Sequence, residues 1–291
     1  MKISDILANG EVTISMEVFP PKTDASFATV EKAVDEIAAL RPSFISCTYG
    51  AGGGTSEYTT RITRRIYDAG VTGMAHLTCI SSNRQTIESQ IGELKASGIE
   101  NILALRGDIP KDSDFVPGDD GFLHADQLVR AIREIYPGAC IGGACYPEKH
   151  PEAASKESDI KAIKSKVDAG CQFLTTQMFF DNSIYYNYLY RLRENGIYVP
   201  VVAGIMPVTS RVQMKRSIEL SGCIIPPRFA AMVDMFGDDP VAMKQAGIIY
   251  ASEQIIDLLA NNIRHIHVYT MNKPDVAAGI LRNLEGIFKP E

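Results

Sequence analysis

What this chain lacks narrows its reading first. Six cysteines are spread over Cys47, Cys79, Cys140, Cys145, Cys171 and Cys223, and no two stand in C-x-x-C spacing. Structural zinc and iron–sulfur clusters want closely spaced thiolates, so the chain by itself is expected to hold neither. Most of these cysteines lie inside apolar runs, where a reduced thiol packs as a small hydrophobe. No apolar stretch approaches the roughly 20 residues needed to cross a bilayer, and the opening Met1-Lys-Ile-Ser-Asp5 carries no signal-peptide pattern. The expectation is a cytoplasmic protein with no membrane partner. A net charge of -6 with both signs interspersed speaks against a nucleic-acid partner. No low-complexity tract or linker divides the chain.

Two motif absences matter as much. Gly50-Ala-Gly-Gly-Gly54 follows an apolar run and precedes a helical pattern, but Thr55 and Ser56 stand where Gly-x-Gly-x-x-Gly needs its last glycine. There is also no Gly-Lys-Thr phosphate loop, so these glycines read as a tight turn under a flat ligand. Glu148-Lys-His150 lacks the paired histidines of a helical zinc site, and no metal is assigned.

What is present is repetition. Short β-branched runs recur at 12–19, 43–49, 72–79, 101–105, 139–146, 173–178, 199–205 and 265–270, each followed by a polar break. Between them, apolar residues at three-and-four spacing (Phe27, Val30, Val34 and Ile37; Leu128, Ile132 and Ile135; Tyr185, Leu189 and Leu192) mark helix faces that can lie on a sheet. Gly70, Gly98, Gly170 and Gly196 follow the predicted helices, where a left-handed residue releases the chain into the next strand. About eight such units close a parallel barrel, which typically needs about 250 residues. Between 226 and 262 the rhythm changes, with helical stretches at 229–235 and 241–259 and no strand between. The expected architecture is α/β, a (β/α)8 TIM barrel with a helical insertion before the last strand, forming one domain over 1–291.

Barrels of this kind carry their chemistry at the C-terminal ends of the strands, and Glu17, Thr48, His76, Asp108, Tyr146, Gln177 and Asn272 all fall there. Glu17 sits in the apolar run Ser15-Met-Glu-Val-Phe19, where burying a carboxylate is costly. A carboxyl held protonated there would be a general acid; the bland alternative is a structural glutamate paired with a base. Asp108 follows Arg106 and Gly107 just past a strand, where the glycine allows close approach of backbone to a ligand. Asp159 and Lys166 share a helix face and either bind an extended cofactor tail or are simply solvated. The proline- and glycine-rich loop 110–121 either closes over a ligand or is a surface excursion. His76 and His150 lie nearest the rim, while His265 and His267 alternate on the last strand and read as packing residues.

Taken together, Ser15-Met-Glu-Val-Phe-Pro-Pro-Lys22, Thr48-Tyr-Gly-Ala51, His76-Leu-Thr-Cys79, Leu105-Arg-Gly-Asp108, Tyr146-Pro-Glu-Lys-His-Pro-Glu152, Thr176-Gln-Met-Phe-Phe-Asp181, Gly204-Ile-Met-Pro-Val208 and Tyr269-Thr-Met-Asn272 resemble, in matching order, the methylenetetrahydrofolate reductases. The resemblance implies FAD across the rim, contacted by Thr48, Tyr49, His76, Arg106, Gly107, Asp108, His124, Ala125, Tyr146, His150, Asp159 and Lys166. It implies NADH or NADPH as co-substrate and a folate met by Glu17, Asp108, Gln177, Gln213 and Lys273. Glu17 would protonate N10 of the methylene-bridged folate, and Asp108 would oppose the iminium charge at N5. Ala162, Ser165, Ser217 and Lys273 depart from the pattern of familiar relatives, which bears on cofactor-tail affinity and nucleotide choice. The partners expected are the folate, the nicotinamide and further copies of the chain in a homo-oligomer. Two other readings stay open: a flavin-free pterin methyl-transfer barrel, and a subunit of a larger complex fed by an iron–sulfur partner protein.

Overall fold

The computed structural model describes residues 1–49, 56–80, 82–108 and 121–288. Eight parallel strands close on themselves in chain order: β1 (Thr13–Val18), β2 (Ile45–Cys47), β3 (Gly73–Thr78), β4 (Asn101–Leu105), β5 (Cys140–Cys145), β6 (Phe173–Thr176), β7 (Val201–Ile205) and β8 (His265–Tyr269). Each lies within one of the β-branched runs, as the TIM-barrel expectation requires. The barrel is sealed where β1 meets β8, with Ser15 beside His267 and Glu17 beside Tyr269.

The helices are α1 (Ile3–Ala8), α2 (Phe27–Ala38), α3 (Ser56–Asp68), α4 (Arg84–Ala96), α5 (Ala125–Ile135), α6 (Lys156–Ala169), α7 (Asn182–Glu194), α8 (Arg211–Ser221), α9 (Pro227–Phe236), α10 (Pro240–Ala260) and α11 (Pro274–Asn283). Several of their starts are set by short polar side chains that take the first free backbone N–H groups. Asn83 accepts from Thr86, Asp181 from Ser183, Ser210 from Gln213, and Asp239 from Val241 and Ala242. Gly70, Gly98, Gly170 and Gly196 all have the positive φ expected of them. Three helices, α8 to α10, separate β7 from β8. The Gly50–Gly54 turn and residues 110–120 of the long loop lie outside the described residues; Gly121 forms an isolated bridge to Asn83.

Period-two alternation sorts β1 by side chain. Ile14, Met16 and Val18 pack outward against the helices, which leaves Thr13, Ser15 and Glu17 on the barrel axis. The two ends of that axis differ. At the N-terminal end, Phe44, Met74, Leu103, Cys140, Phe173 and Val202 fill the interior and are covered by Ile3, Ile6 and Leu7 of α1. Nothing in the sequence reading anticipated α1, because six residues are too few to display a helical period. Asn101 ties it down. Its fully buried amide oxygen accepts from the Ile3 N–H, and its two amide hydrogens are shared among the Met1 carbonyl, the Tyr67 hydroxyl and the Gly73 carbonyl. The bottom is thus closed by apolar side chains.

One glycine reports how tightly the helical layer sits. Gly247 lies inside α10, where alanine is favoured by up to about 1 kcal/mol on propensity alone. A Cβ there would stand 1.8 Å from the Val208 carbonyl oxygen. Overpacking against backbone should win, so Gly247→Ala is expected to destabilise by about 2–3 kcal/mol, read as a lower denaturation midpoint. An unchanged or raised midpoint would mean α10 is free to shift.

Candidate active site at the C-terminal rim

Glu17, last but one in β1, points up the axis and is 7% exposed. Two histidines face it. His76 Nε2 from β3 and His267 Nε2 from β8 each stand 3.6 Å from Glu17 Oε2. His267 Nδ1 lies 2.8 Å from Ser15 Oγ, and its Nε2 lies 3.4 Å from Ser46 Oγ. Thr270 Oγ1 donates to the Glu17 carbonyl, and the Tyr269 hydroxyl donates to the Thr176 carbonyl. Gly204 makes room for that tyrosine, since a Cβ at Gly204 would sit 2.6 Å from its hydroxyl. The sequence reading took His267 for packing and passed over Ser15, Ser46 and Tyr269. The signal available was a strand with polar residues at 265, 267 and 269, all on one face.

Burial governs the ionisation of this cluster. It pushes His76 down to about 4, against a smaller upward pull from Glu17, so the imidazole is neutral. Burial and the Glu17 charge push the Cys47 thiol and the Tyr269 hydroxyl well up.

A polar arc continues around the rim. Thr48 Oγ1 and His76 Nε2 are buried with no hydrogen-bond partner, and Tyr49 accepts from Gln90 Nε2 of α4. Arg106, past β4, grips Glu152 with both guanidinium nitrogens at 2.6 and 2.7 Å, which holds Glu152 below the usual carboxylate range. Gly107 has φ +87° and packs on Thr78, and Asp108 beside it is exposed. His124 is the N-cap of α5 and Ala125 its first residue, so free N–H groups point from there. Tyr146 stacks edge-on against His150, ring centres 4.6 Å apart; burial and the Asp108 charge push its hydroxyl up to about 12. Asp159 accepts from the His150 N–H, and Lys166 donates to the Ala144 carbonyl. Burial raises Asp159 and lowers Lys166.

Across the mouth, Gln213 accepts from the Thr209 N–H and hydroxyl, and Lys273 Nζ reaches Thr209 Oγ1 at 2.8 Å. Gln177 follows β6 and its amide oxygen accepts from the Met178 N–H. Asn272 instead clasps the Phe19 N–H and carbonyl, stapling β1 to the segment after β8. Ala162 and Ser165 are exposed on α6, and Ser217 is buried on α8. Among the described residues no group of three His, Cys, Asp or Glu could hold a metal ion.

The model of the methylenetetrahydrofolate reductase family matches residues 2–285. The chain belongs to that family. It is 33% identical over 276 residues to the 5,10-methylenetetrahydrofolate reductase of Escherichia coli, covering 94% of this chain and 91% of that one. It is 36% identical over 297 residues to methylenetetrahydrofolate reductase (NADH) 1 of Zea mays, and 36% over 291 residues to methylenetetrahydrofolate reductase 1 of Schizosaccharomyces pombe. Those alignments take in 97% and 98% of this chain but only 50% and 48% of the relatives, so the chain spans about half their length. The fold is shared with an uncharacterised protein from Clostridium thermocellum that binds two copies of 5-methyl-5,6,7,8-tetrahydrofolic acid, with a TM-score of 0.65, 14% identity and 98% of each chain covered. Among the described residues no helix is long and apolar enough to cross a membrane.

The depressed His76 sets a pH dependence. Above 6.5 the imidazole is neutral in both folded and unfolded chains and contributes no slope. As pH falls from there toward about 4, the unfolded chain takes up a proton that the folded one refuses, so stability is lost. Urea midpoints measured across that window should fall, and His76→Gln should flatten the fall; an identical slope in the variant would refute the assignment.

Proposed function

We propose that the rim reduces 5,10-methylenetetrahydrofolate to 5-methyltetrahydrofolate, with Glu17 as the proton donor. The observation that carries this reading is a carboxyl 7% exposed at the end of β1, in a chain of the methylenetetrahydrofolate reductase family. A buried carboxyl beside neutral imidazole is suited to carrying a proton to a substrate nitrogen.

The residues present fit a flavin. Thr48 Oγ1 and His76 Nε2 are buried polar atoms without partners, Gly107 offers bare backbone, and the α5 N-terminus, Arg106 and Lys166 supply positive potential for a diphosphate. Thr48, Tyr49, His76, Arg106, Gly107, Asp108, His124, Ala125, Tyr146, His150, Asp159 and Lys166 would hold FAD. Bound there, FAD would supply a two-electron hydride carrier, charged by NADH or NADPH and discharged onto the folate, the two substrates taking turns. The Zea mays relative is named for NADH, which favours that donor.

Gln177, Gln213 and Lys273 hold the folate. Glu17 gives its proton to N10, the bond from N10 to the bridging carbon breaks with its electron pair going to nitrogen, and an N5 iminium remains to accept hydride. Asp108 brings a negative charge toward that cation, stabilising the charge as it develops.

Glu17→Gln keeps the shape of the side chain and removes its proton. Stopped-flow spectroscopy of the flavin-loaded protein should find bleaching by NADH within a few-fold of wild type, and reoxidation by methylenetetrahydrofolate slowed by at least about 100-fold, the usual worth of a general acid. Retained folate turnover would remove Glu17 from the role.

A further inference from the structure

The surroundings of Glu17 hold a second piece of proton chemistry, in the tautomer of His267. The Ser15 hydroxyl has one hydrogen and donates it to the Ile266 carbonyl at 3.0 Å. With the hydrogen so placed, the contact with His267 Nδ1 at 2.8 Å makes the ring the donor; placed toward Nδ1 instead, it would leave the ring protonated at Nε2. A neutral imidazole protonated at Nδ1 has a bare lone pair at Nε2, and that nitrogen faces Ser46 Oγ and Glu17 Oε2. The ring cannot turn away. It is 1% exposed, lies nearly parallel to Phe44 at 6.1 Å and edge-on to Tyr269 at 5.3 Å.

We infer that His267 is a positioning residue that shares the transferable proton of Glu17 through Nε2. The inference rests on the reading of Glu17 as the acid and deepens it. With the proton on Glu17, the carboxyl donates toward the Nε2 lone pair; with the proton on Nε2, an imidazolium faces a carboxylate. Either way the pair is neutral overall and holds one proton, and neither state strands an unpaired charge in the dry interior. When that proton leaves for substrate N10, the pair is a carboxylate beside neutral imidazole, and the bond broken is Oε–H or Nε2–H with its electrons left behind. The 3.6 Å separation is the loose geometry of a site without substrate, which tightens as the proton moves.

The other titratable groups facing Glu17 do not compete. Tyr269 from β8 stays protonated because burial pushes its hydroxyl well up, and Cys47 of β2 packs outward among the helices rather than toward Glu17. His76 from β3 faces the same oxygen, but its Nε2 has no hydrogen-bond partner. Of the two imidazoles, His267 is the one whose Nδ1 is assigned a donor role by Ser15, through its own bond to the Ile266 carbonyl, as second-layer bonds orient a metal-bound histidine.

The test pairs kinetics with spectroscopy on the flavin-loaded protein. His267→Gln keeps an amide near Nε2 but cannot exchange a proton. It is expected to leave NADH bleaching within about three-fold and the KM for folate little changed, while kcat for folate reduction falls about ten-fold or more. The alkaline limb of the pH profile for folate reduction should move, while the profile for flavin bleaching by NADH stays in place. An equal fall in both half-reactions with an unmoved limb would mark a merely structural histidine and overturn the inference. Nitrogen-15 NMR of histidine-labelled wild type decides independently of turnover, with the His267 signal identified by its loss in the variant. The expected result is an Nδ1–H tautomer at alkaline pH whose titration shifts in Glu17→Gln; an Nε2–H tautomer, or a titration indifferent to Glu17, overturns it. Should wild type form no methyl folate, the functional reading fails and the NMR result alone judges the shared proton.

Discussion

A carboxyl group inside a closed β-cylinder can place its charge only on its immediate neighbours, and everything notable about this protein is arranged around that constraint. Water cannot reach Glu17 from below, because α1 and a layer of large apolar side chains stop the N-terminal end. Salt screens it little. What remains facing the carboxyl are two imidazoles and a phenol, of which burial keeps His76 and the Tyr269 hydroxyl neutral. On the proposed reading, the cost of hiding a carboxylate becomes a means of storing a proton beside the folate.

The barrel achieves this by register more than by composition. Closure of β1 on β8 sets Thr13 beside His265, Ser15 beside His267 and Glu17 beside Tyr269, so alternation delivers the three polar residues of β1 to the axis at the same height as those of β8. A slip of one residue would send Glu17 out among the helices and bring Met16 inward. Gly204 protects the arrangement from the far side by leaving the Tyr269 ring its space, and Asn272 fixes the end of β1 to the chain after β8. The rim is built on different terms. Many of its groups are half-buried or exposed and carry charge, as in the Arg106–Glu152 fork, and Gly107 and the start of α5 bring backbone to it.

Much of this was legible along the chain. Strands announced themselves by β-branched runs, helices by three-and-four spacing, and the ends of four helices by glycines that do take positive φ. Glu17 stood out because a glutamate between Met16 and Val18 has no local excuse for being there. The plug did not: Ile3, Ile6 and Leu7 are too short a pattern to distinguish from any apolar start, and their partners lie on strands scattered from Phe44 to Val202. Asn101 looked like the first residue of a strand, and only the fold brings Met1, Tyr67 and Gly73 to its amide.

The sequence by itself determined the number and order of elements and which side chains lie near the rim, because those follow from local periodicity and from the polarity of parallel strands. It could not determine that His267 shares a carboxyl oxygen with His76. Those residues are 191 positions apart and meet through Glu17, 250 positions from His267, only when eight strands close in one register. Proximity inside a barrel is a property of closure, and closure is a tertiary event.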